Sequence, residues 1–392
     1  MSSPKGVVVL GATGSVGRQA LDVIAAFPER FRLVGVAARA SVEAMAQLVE
    51  RHRPPRVVMA EGTAADGLRR RCGTHVALES GDDALCALAA SPEADIVVAA
   101  MSGQAGLLPL WSALGAARRV ALANKEALVM AGAALMARAR QNGAEILPVD
   151  SEHAALHQLL RAVRAGDVRR IVLTASGGPF LNLPRERWSE ISPDQALRHP
   201  RWTMGPKVSI DSATLMNKGF EIIEARWLFD VPEERIGVLI HPQSVVHGLV
   251  ELCDGSTLAQ LGPPDMRLAV AWALAGPERL PLERLNPAPP AAQLQALDLS
   301  PGDEERFPAL GLCRRALRRG GGAPAALAAA DEAAVEAFRA RRLSFARILP
   351  LLEEVQAGLG ERPGETLEDA LRAGREGRAR AEEIIAREGG AA

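Results

Sequence analysis

The sequence has no tyrosine and few aromatic residues of any kind: phenylalanine and tryptophan together make up 3% of its 392 residues. Proteins that bind single-stranded nucleic acid stack the bases on aromatic side chains, so this composition disfavours such a binder. Neither sign of charge is in excess, since 46 lysines and arginines balance 47 aspartates and glutamates. A nucleic-acid partner held by a general basic field is therefore not expected.

Cysteine and long apolar runs are scarce as well. Cys72, Cys86, Cys253 and Cys313 lie far apart and form no CxxC pair, which disfavours a zinc cluster or a disulfide framework and is typical of a reducing compartment. No apolar run reaches the roughly 18 uncharged residues of a membrane span, and the first six residues are too short and polar for a signal peptide. We therefore expect a cytoplasmic protein with no membrane partner.

The first 150 residues alternate strand-like and helix-like stretches. Continuous apolar runs are typical of strands buried on both faces, and helical stretches such as 42–51 lie between them. This alternation predicts an α/β fold with a Rossmann-like parallel sheet, which binds its ligand at the carboxyl ends of the strands. The predicted strands are 7–10, 31–37, 56–60, 95–100, 120–123 and 146–149.

Residues 151–280 predict a second α/β domain, with strands at 170–174, 237–240, 245–252 and 257–261. The last two strands flank Asp254-Gly255, which is a hairpin-turn signal, and 211–229 predicts one long helix. Between 183 and 207 lies an aperiodic stretch, and a loop of that length in a compact domain is usually functional or mobile.

The last part of the chain predicts a linker followed by a helical domain. Pro281, Pro287, Pro289 and Pro290 mark the linker, over residues 281–302. Residues 303–392 are rich in alanine, leucine, arginine and glutamate, and predict a bundle of four helices near 306–318, 324–341, 344–358 and 366–387.

A glycine-rich turn, Gly11-Ala-Thr-Gly14-Ser-Val-Gly17, joins the first strand to a helix. Its glycines permit close backbone approach, and the helix N-terminus offers N–H groups to a pyrophosphate, although a tight turn without a ligand has the same spacing. No carboxylate follows the second strand, where an NAD site places one. Arg39 can pair there with a ribose 2′-phosphate, so we predict NADP(H), with a merely solvated Arg39 as the alternative.

Two groups of polar residues suggest a metal site. Asp150 and Glu152 follow a strand directly and, in an extended turn, face the same side. Asn217, Lys218 and Glu221 share one face of the predicted helix. If that helix packs across the strand end, Asp150, Glu152 and Glu221 converge as oxygen ligands for Mg²⁺ or Mn²⁺. The alternative is a simple surface ion pair of Lys218 with Glu221.

Two serines are candidates for a neighbouring anion site. Ser176-Gly177-Gly178 follows the strand 170–174 and has the small residues of an anion-binding turn, although an ordinary loop has the same composition. Ser212 lies roughly opposite Glu221 on an ideal helix. It can join the site only if the helix begins later or the chain bends there.

The segment Asp211-Ser-Ala-Thr-Leu-Met-Asn-Lys-Gly-Phe-Glu221 closely resembles the 1-deoxy-D-xylulose 5-phosphate reductoisomerases. The resemblance runs through most of residues 5–350 and includes the stretches 11–17, 123–126, 147–153, 176–180, 199–207 and 241–247. It implies an NADPH-binding domain over 1–150, a catalytic metal and substrate domain over 151–280 with a closing flap within 183–207, and a C-terminal helical domain, usually in a homodimer.

The resemblance also implies an activity and a role for each matched residue. The activity is the metal-dependent rearrangement and NADPH reduction of a sugar phosphate, 1-deoxy-D-xylulose 5-phosphate, to 2-C-methyl-D-erythritol 4-phosphate in non-mevalonate isoprenoid biosynthesis. The implied NADPH contacts are Thr13, Gly14, Ser15, Val16, Asn124, Glu126 and Gly205. The implied metal ligands are Asp150, Glu152 and Glu221. The implied substrate contacts are Lys125, Ser151, Glu152, Ser176, His199, Ser212, Asn217, Lys218 and Glu221.

The chain departs from the family pattern at three places. Arg39-Ala40-Ser41 stands where Gly-Lys-Asn is common, 101–104 differs from the usual Ile-Val-Gly, and Asp331 replaces an asparagine. The first departure, at residues 39–41, motivates one competing hypothesis, a catalytically silent NADP-binding regulator, which the complete set of three carboxylates disfavours. A second is a semialdehyde dehydrogenase, which can also begin with Gly-Ala-Thr-Gly but requires a thiolate nucleophile.

Overall fold

The computed structural model describes residues 3–73, 77–202, 204–283, 285 and 297–389. By their contacts these residues form two units. The first contains the described residues of 1–127, 135–154 and 265–288, and the second those of 128–134, 155–264 and 289–392. Most of the predicted linker, including Pro287, Pro289 and Pro290, lies outside the described residues. Within them, no helix has both the length and the hydropathy that crossing a membrane requires.

The first unit contains a seven-stranded parallel sheet with the strand order β4-β3-β2-β1-β5-β6-β7. Its strands are β1 Lys5–Leu10, β2 Phe31–Ala38, β3 Arg56–Met59, β4 Ala77–Ser80, β5 Ile96–Ala99, β6 Arg119–Leu122 and β7 Glu145–Pro148. The continuous burial of Val7, Val8 and Val9 in β1 follows from helices covering both faces of the sheet. The predicted Rossmann-like sheet is confirmed, and the order reverses beside β1, where such sheets bind ligands.

The second unit contains a mixed five-stranded sheet with the order β11-β10-β8-β9-β12. Its strands are β8 Val168–Ala175, β9 Ile236–Ile240, β10 Val246–Leu252, β11 Thr257–Leu261 and β12 Ser300–Pro301. Strands β8 and β9 run parallel, and β10 and β11 form the predicted hairpin. Gly255, with φ of +90°, turns that hairpin, and Asp254 Oδ1 accepts a hydrogen bond from the Ser256 N–H at 2.9 Å.

The helices connect and cover these strands. Those preceding residue 161 are α1 Ser15–Ala26, α2 Val42–His52, α3 Gly62–Cys72, α4 Asp82–Ala89, α5 Leu107–Ala113, α6 Lys125–Asn142 and α7 Ser151–Leu160. Those after it are α8 Pro193–Ala196, α9 Pro206–Thr214, α10 Met216–Phe229, α11 Met266–Ala275, α12 Pro308–Arg319, α13 Ala323–Arg339, α14 Ile348–Gly358 and α15 Leu367–Gly389.

The predicted C-terminal bundle of four helices is confirmed as α12 to α15. Helix α13 is rich in alanine, and almost all of its residues from 323 to 338 are buried. Its partner α15 approaches closely, because a Cβ added to Gly377 would lie 2.3 Å from the carbonyl oxygen of Ala326. Small side chains on both helices therefore set this short separation.

The prediction of a single helix over 211–229 is wrong. The chain forms two helices, α9 and α10, separated at Leu215, whose φ of +62° is left-handed. The Met216 N–H turns back to donate to Thr214 Oγ1 at 3.2 Å, which stabilises the break. Helical periodicity does not reveal this break, because no proline or glycine marks it.

Candidate active site

The glycine turn leaves an open helix N-terminus at the carboxyl end of β1. Gly11 has φ of +79°, and a Cβ added there would lie 2.3 Å from the Ala100 carbonyl oxygen. A Cβ on Gly17 would lie 2.3 Å from the Gly11 carbonyl oxygen, so both positions require glycine. Gly14 caps α1, and no acidic residue lies in its first turn. The residues from Thr13 to Val16 therefore surround an end of the helix that suits an anion.

Arg39 lies just beyond the carboxyl end of β2, as the sequence predicts. Its side chain is 80% exposed, and its Nε donates to Glu61 Oε1 at 2.9 Å. The guanidinium is therefore largely exposed to solvent and forms one surface ion pair. A phosphate group that binds Arg39 competes with the Glu61 carboxylate for it.

Asn124 organises the loop after β5. Its Oδ1 accepts from the Ala127 N–H at 2.8 Å and caps α6, while its Nδ2 donates to the Gly103 carbonyl oxygen at 2.9 Å and also to that of Met101. The side chain is buried, as is Glu126 in the first turn of α6. Asn124 therefore fixes the backbone of the 101–103 loop, whose sequence departs from the family pattern.

Lys125, Asp150 and Glu152 lie at the carboxyl ends of two adjacent strands, β6 and β7. Lys125 Nζ donates to Asp150 Oδ2 at 2.7 Å, and both side chains are largely buried. Ser151 Oγ donates to Glu152 Oε2, and the carboxylates of Asp150 and Glu152 each offer an oxygen within 4.8 Å of the other. This arrangement places two hard oxygen donors and one ammonium group at one edge of the sheet.

One detail of the sequence prediction for this pair is wrong. Residue 150 does not begin an extended turn, because α7 starts at Ser151 and Glu152 lies in its first turn. The Ala154 N–H donates to the Asp150 carbonyl oxygen at 2.8 Å, so Asp150 opens the helix. The two carboxylates are nevertheless neighbours, as expected.

In the second unit, Glu221 of α10 accepts hydrogen bonds from two side chains of the same helix. Asn217 Nδ2 donates to it at 2.6 Å, and Lys218 Nζ donates to its other oxygen. Glu221 and Lys218 are 1% and 4% exposed, so the alternative of a surface ion pair is wrong. A buried carboxylate and ammonium held this way are oriented by the helix before any ligand binds.

Ser176 follows the carboxyl end of β8 and contacts His199, which lies in the stretch 183–207. Ser176 Oγ is 3.0 Å from His199 Nε2, and the Gly178 N–H donates to the same Oγ at 3.3 Å. The backbone N–H groups of Arg201 and Trp202 donate to His199 Nδ1 at 3.2 and 2.9 Å. We assign the imidazole proton to Nε2, because Nδ1 accepts. Ser176 thus accepts twice and presents its hydroxyl hydrogen to a further acceptor.

The turn of Ser176 lies directly against Ser212. Gly178 has φ of +70°, and a Cβ added to it would lie 2.5 Å from the Ser212 carbonyl oxygen. The break at Leu215 changes the chain direction between Ser212 and Glu221. The bend that the sequence analysis required for Ser212 is therefore present, and small residues bring it beside the candidate anion-binding turn.

Sequence reasoning assigned no role to His247, although it ends one of the matched stretches. Its ring centroid lies 6.3 Å from that of Trp202, and the residue is 5% exposed. Burial lowers the pKa of His247 and the charge of Lys218 lowers it further, while backbone hydrogen bonds at Pro263 and Gly262 oppose this shift only in part. His247 is therefore a neutral imidazole near Lys218 and Trp202.

Two of the four cysteines, Cys253 and Cys313, lie in places that do not support a thiolate mechanism. Cys313 is fully buried, and both burial and the nearby Asp331 and Asp211 raise the pKa of its thiol. Cys253 is exposed and belongs to the turn of the β10–β11 hairpin. A nucleophilic cysteine requires surroundings that lower the thiol pKa, whereas those of Cys313 raise it.

The pH dependence of stability is expected to report the environment of His199. Burial lowers its pKa from 6.5 to about 4, so between those values the unfolded chain takes up a proton that the folded protein excludes. His199 therefore makes the protein less stable as the pH falls from 6.5 to 4. Thermal unfolding across this window should show a steeper loss of melting temperature in the wild type than in His199→Gln. Parallel pH profiles would contradict the assignment.

Together, the parallel sheet with its open glycine turn and the clustered carboxylates define a nucleotide-dependent α/β oxidoreductase. Three family descriptions match the chain: 1-deoxy-D-xylulose 5-phosphate reductoisomerase over residues 7–132, the C-terminal domain of that enzyme over 146–229, and the DXP reductoisomerase C-terminal domain over 261–380. The chain belongs to the 1-deoxy-D-xylulose 5-phosphate reductoisomerase family.

Individual relatives agree with this membership. The 1-deoxy-D-xylulose 5-phosphate reductoisomerase of Anaeromyxobacter dehalogenans is 48% identical over 381 residues, covering 97% of each chain. That of Xanthomonas campestris pv. campestris is 49% identical over 389 residues, covering 98% of each. The Zymomonas mobilis enzyme, solved in complex with NADPH, superposes with a TM-score of 0.87 at 38% identity, over 97% of this chain and 99% of that one. A reductoisomerase solved with NADPH, fosmidomycin and magnesium gives a TM-score of 0.90 at 38% identity, over 97% and 98%.

Proposed function

We propose that this chain carries out the reaction of its family with the residues described above. It is an NADPH-dependent and metal-dependent enzyme that rearranges and reduces 1-deoxy-D-xylulose 5-phosphate to 2-C-methyl-D-erythritol 4-phosphate. The observation that carries the proposal is the pair of neighbouring carboxylates, Asp150 and Glu152, at the carboxyl edge of a nucleotide-type sheet.

Asp150, Glu152 and Glu221 are the proposed ligands of one divalent cation, Mg²⁺ or Mn²⁺. These cations prefer carboxylate oxygens, and each of the three side chains supplies them. When bound, the cation acts as a Lewis acid that stabilises negative charge on the substrate oxygens, a contribution of several kcal/mol. Lys125, paired with Asp150, adds a positive charge at the same edge.

The nucleotide is proposed to bind along the glycine turn. Its pyrophosphate contacts the N-terminus of α1 at Thr13, Gly14, Ser15 and Val16, and its 2′-phosphate contacts Arg39. Asn124, Glu126 and Gly205 complete this proposed set of contacts. NADPH supplies the hydride for the reduction.

The substrate is proposed to be oriented through its phosphate. Ser176, Ser212, Asn217 and Lys218 contribute hydroxyl, amide and ammonium donors to the phosphate. His199 contacts it and orients the Ser176 hydroxyl through the hydrogen bond from Nε2. Binding energy from the phosphate, remote from the reacting carbons, then holds the reacting part in place. Ser151 contacts the sugar beside the metal ligands, and closure of the segment 183–207 excludes water from the aldehyde stage.

The direct test is a spectrophotometric assay of NADPH consumption with 1-deoxy-D-xylulose 5-phosphate. We expect turnover that a chelator abolishes and that added Mn²⁺ or Mg²⁺ restores. Consumption that persists in excess chelator would overturn the metal proposal. An absence of turnover under all conditions would favour the silent NADP-binding regulator, whose motivation is the departure at Arg39.

We also propose that the protein is a cytoplasmic homodimer. The edge strand β11 supports self-association, since it ends at Leu261, whose side chain is 38% exposed. An edge strand with an exposed apolar residue can pair with a second copy of the chain. All four cysteines are unpaired thiols, which agrees with a reducing compartment.

A further inference from the structure

The start of the segment 183–207 is attached to the C-terminal helices by aromatic contacts. Trp188 packs edge-on against Phe345, with ring centroids 5.5 Å apart and an interplanar angle of 73°. Phe345 meets Phe180 and Phe338 at the same centroid distance. Such edge-to-face pairs are favourable beyond the area they bury, so the start of the segment is held firmly.

The end of the segment is attached to the same helices by a buried ion cluster. Lys207, in the first turn of α9, donates from Nζ to Asp211 at 2.5 Å and to Asp331 of α13 at 2.7 Å. The two carboxylate side chains are only 2% and 1% exposed. Lys207 also lies 5.1 Å from the ring centroid of Phe220. Water is thus largely excluded, which strengthens the attraction between these charges.

We propose that Asp331 is a positioning residue for the closing segment. Through Lys207 it fixes the end of the segment, and with it the start of the helix that carries Ser212, on the C-terminal bundle. The inference rests on the closing role proposed above for residues 183–207.

The physical effect is on the entropy of closure. A segment that is attached at both ends has fewer conformations to lose when it orders over a substrate. Releasing one end raises the entropic cost of closure, and this cost weakens substrate binding. The chemical step is affected less, because Asp331 is assigned no contact with the reacting groups.

The test is Asp331→Ala. Lys207 keeps Asp211 as its partner in this variant, so its buried charge stays paired and we expect the protein to fold with a melting temperature lowered by only a few degrees. Because a hydrogen bond to a charged group is lost, we expect KM for the sugar phosphate to rise about tenfold, with kcat changed less than about threefold. Amide hydrogen exchange of the free enzyme should accelerate in peptides covering residues 197–207, but not in α13 or α15.

Two further variants control this comparison. Asp331→Asn keeps a side-chain oxygen for Lys207 and should rescue most of the loss in KM. If the alanine variant does not fold, Asp331→Ser takes its place, because its shorter side chain ends farther from Lys207 and should show the same rise in KM. Glu336→Ala removes an ion pair of the same helix, that with Arg378, which does not involve the closing segment. We expect wild-type KM and wild-type exchange at 197–207 for this control.

The outcomes separate the alternatives. The proposal would be overturned if Asp331→Ala had the KM and the amide hydrogen exchange of the wild type. It would also be overturned if exchange accelerated equally in α13 and α15, because that result indicates a purely structural role. An inactive wild-type enzyme would instead overturn the proposed function. The exchange measurement needs no turnover, so it still decides whether Asp331 holds the segment.

Discussion

Replacing Glu221 with glutamine is expected to abolish metal-dependent turnover while NADPH binding persists. The carboxylate is buried and accepts hydrogen bonds from Asn217 and Lys218. Glutamine keeps the shape but removes the negative charge that a hard dication requires, and its amide N–H₂ cannot accept from Lys218. Losing several kcal/mol of stabilisation corresponds to a fall in kcat of about three orders of magnitude. NADPH absorbance with added Mn²⁺ measures this fall, and a fluorescence titration measures NADPH binding.

A matched control is available in the same unit. Glu251→Gln makes the identical chemical change at a carboxylate on β10 that pairs with Arg170, at 2.7 Å. This pair is partly exposed and contributes little, so we expect rates close to those of the wild type. An active Glu221→Gln enzyme would remove Glu221 from the proposed ligand set.

Gly178→Ala is expected to weaken substrate binding strongly and to affect NADPH binding little. The added Cβ would lie 2.5 Å from the Ser212 carbonyl oxygen, and φ at this position is +70°. Left-handed backbone costs an L-residue about 1–2 kcal/mol, and the clash forces the turn of Ser176 away from Ser212. We expect kcat/KM for the sugar phosphate to fall by about a hundredfold or more, since each 1.36 kcal/mol corresponds to a factor of ten. KM for NADPH should change less than about twofold.

A comparison with Gly255→Ala distinguishes the effect of the steric clash at Gly178 from that of its left-handed backbone. Gly255 also has a left-handed φ, of +90°, but a Cβ there would meet no atom within 4 Å. The variant should lose stability in thermal unfolding and retain the kinetics of the wild type. Equal kinetic losses in the two variants would show that strain alone, rather than the contact with Ser212, accounts for the effect.

Much of the fold was predictable because it is encoded in local patterns. The buried strand β1, the glycine turn, the β10–β11 hairpin and the four C-terminal helices each have a signature that a few neighbouring residues carry. Strand β4, Ala77–Ser80, was missed because it lies at the sheet edge, where three of its four residues are exposed and no apolar run forms. The break at Leu215 was missed because it depends on a left-handed leucine, a rare conformation for that residue.

The sequence by itself determined which chemical groups are present and in which local element each one stands: the acids at 150 and 152, the donors along α10 and the open turn before α1. Only the tertiary structure decided that His199 donates to Ser176, that Ser212 lies beside Gly178, and that Lys207 reaches Asp331, which is 124 positions further along the chain. The reason is that periodicity reports a residue's nearest neighbours, whereas these contacts arise when separate elements pack together and must satisfy each other's buried polar groups.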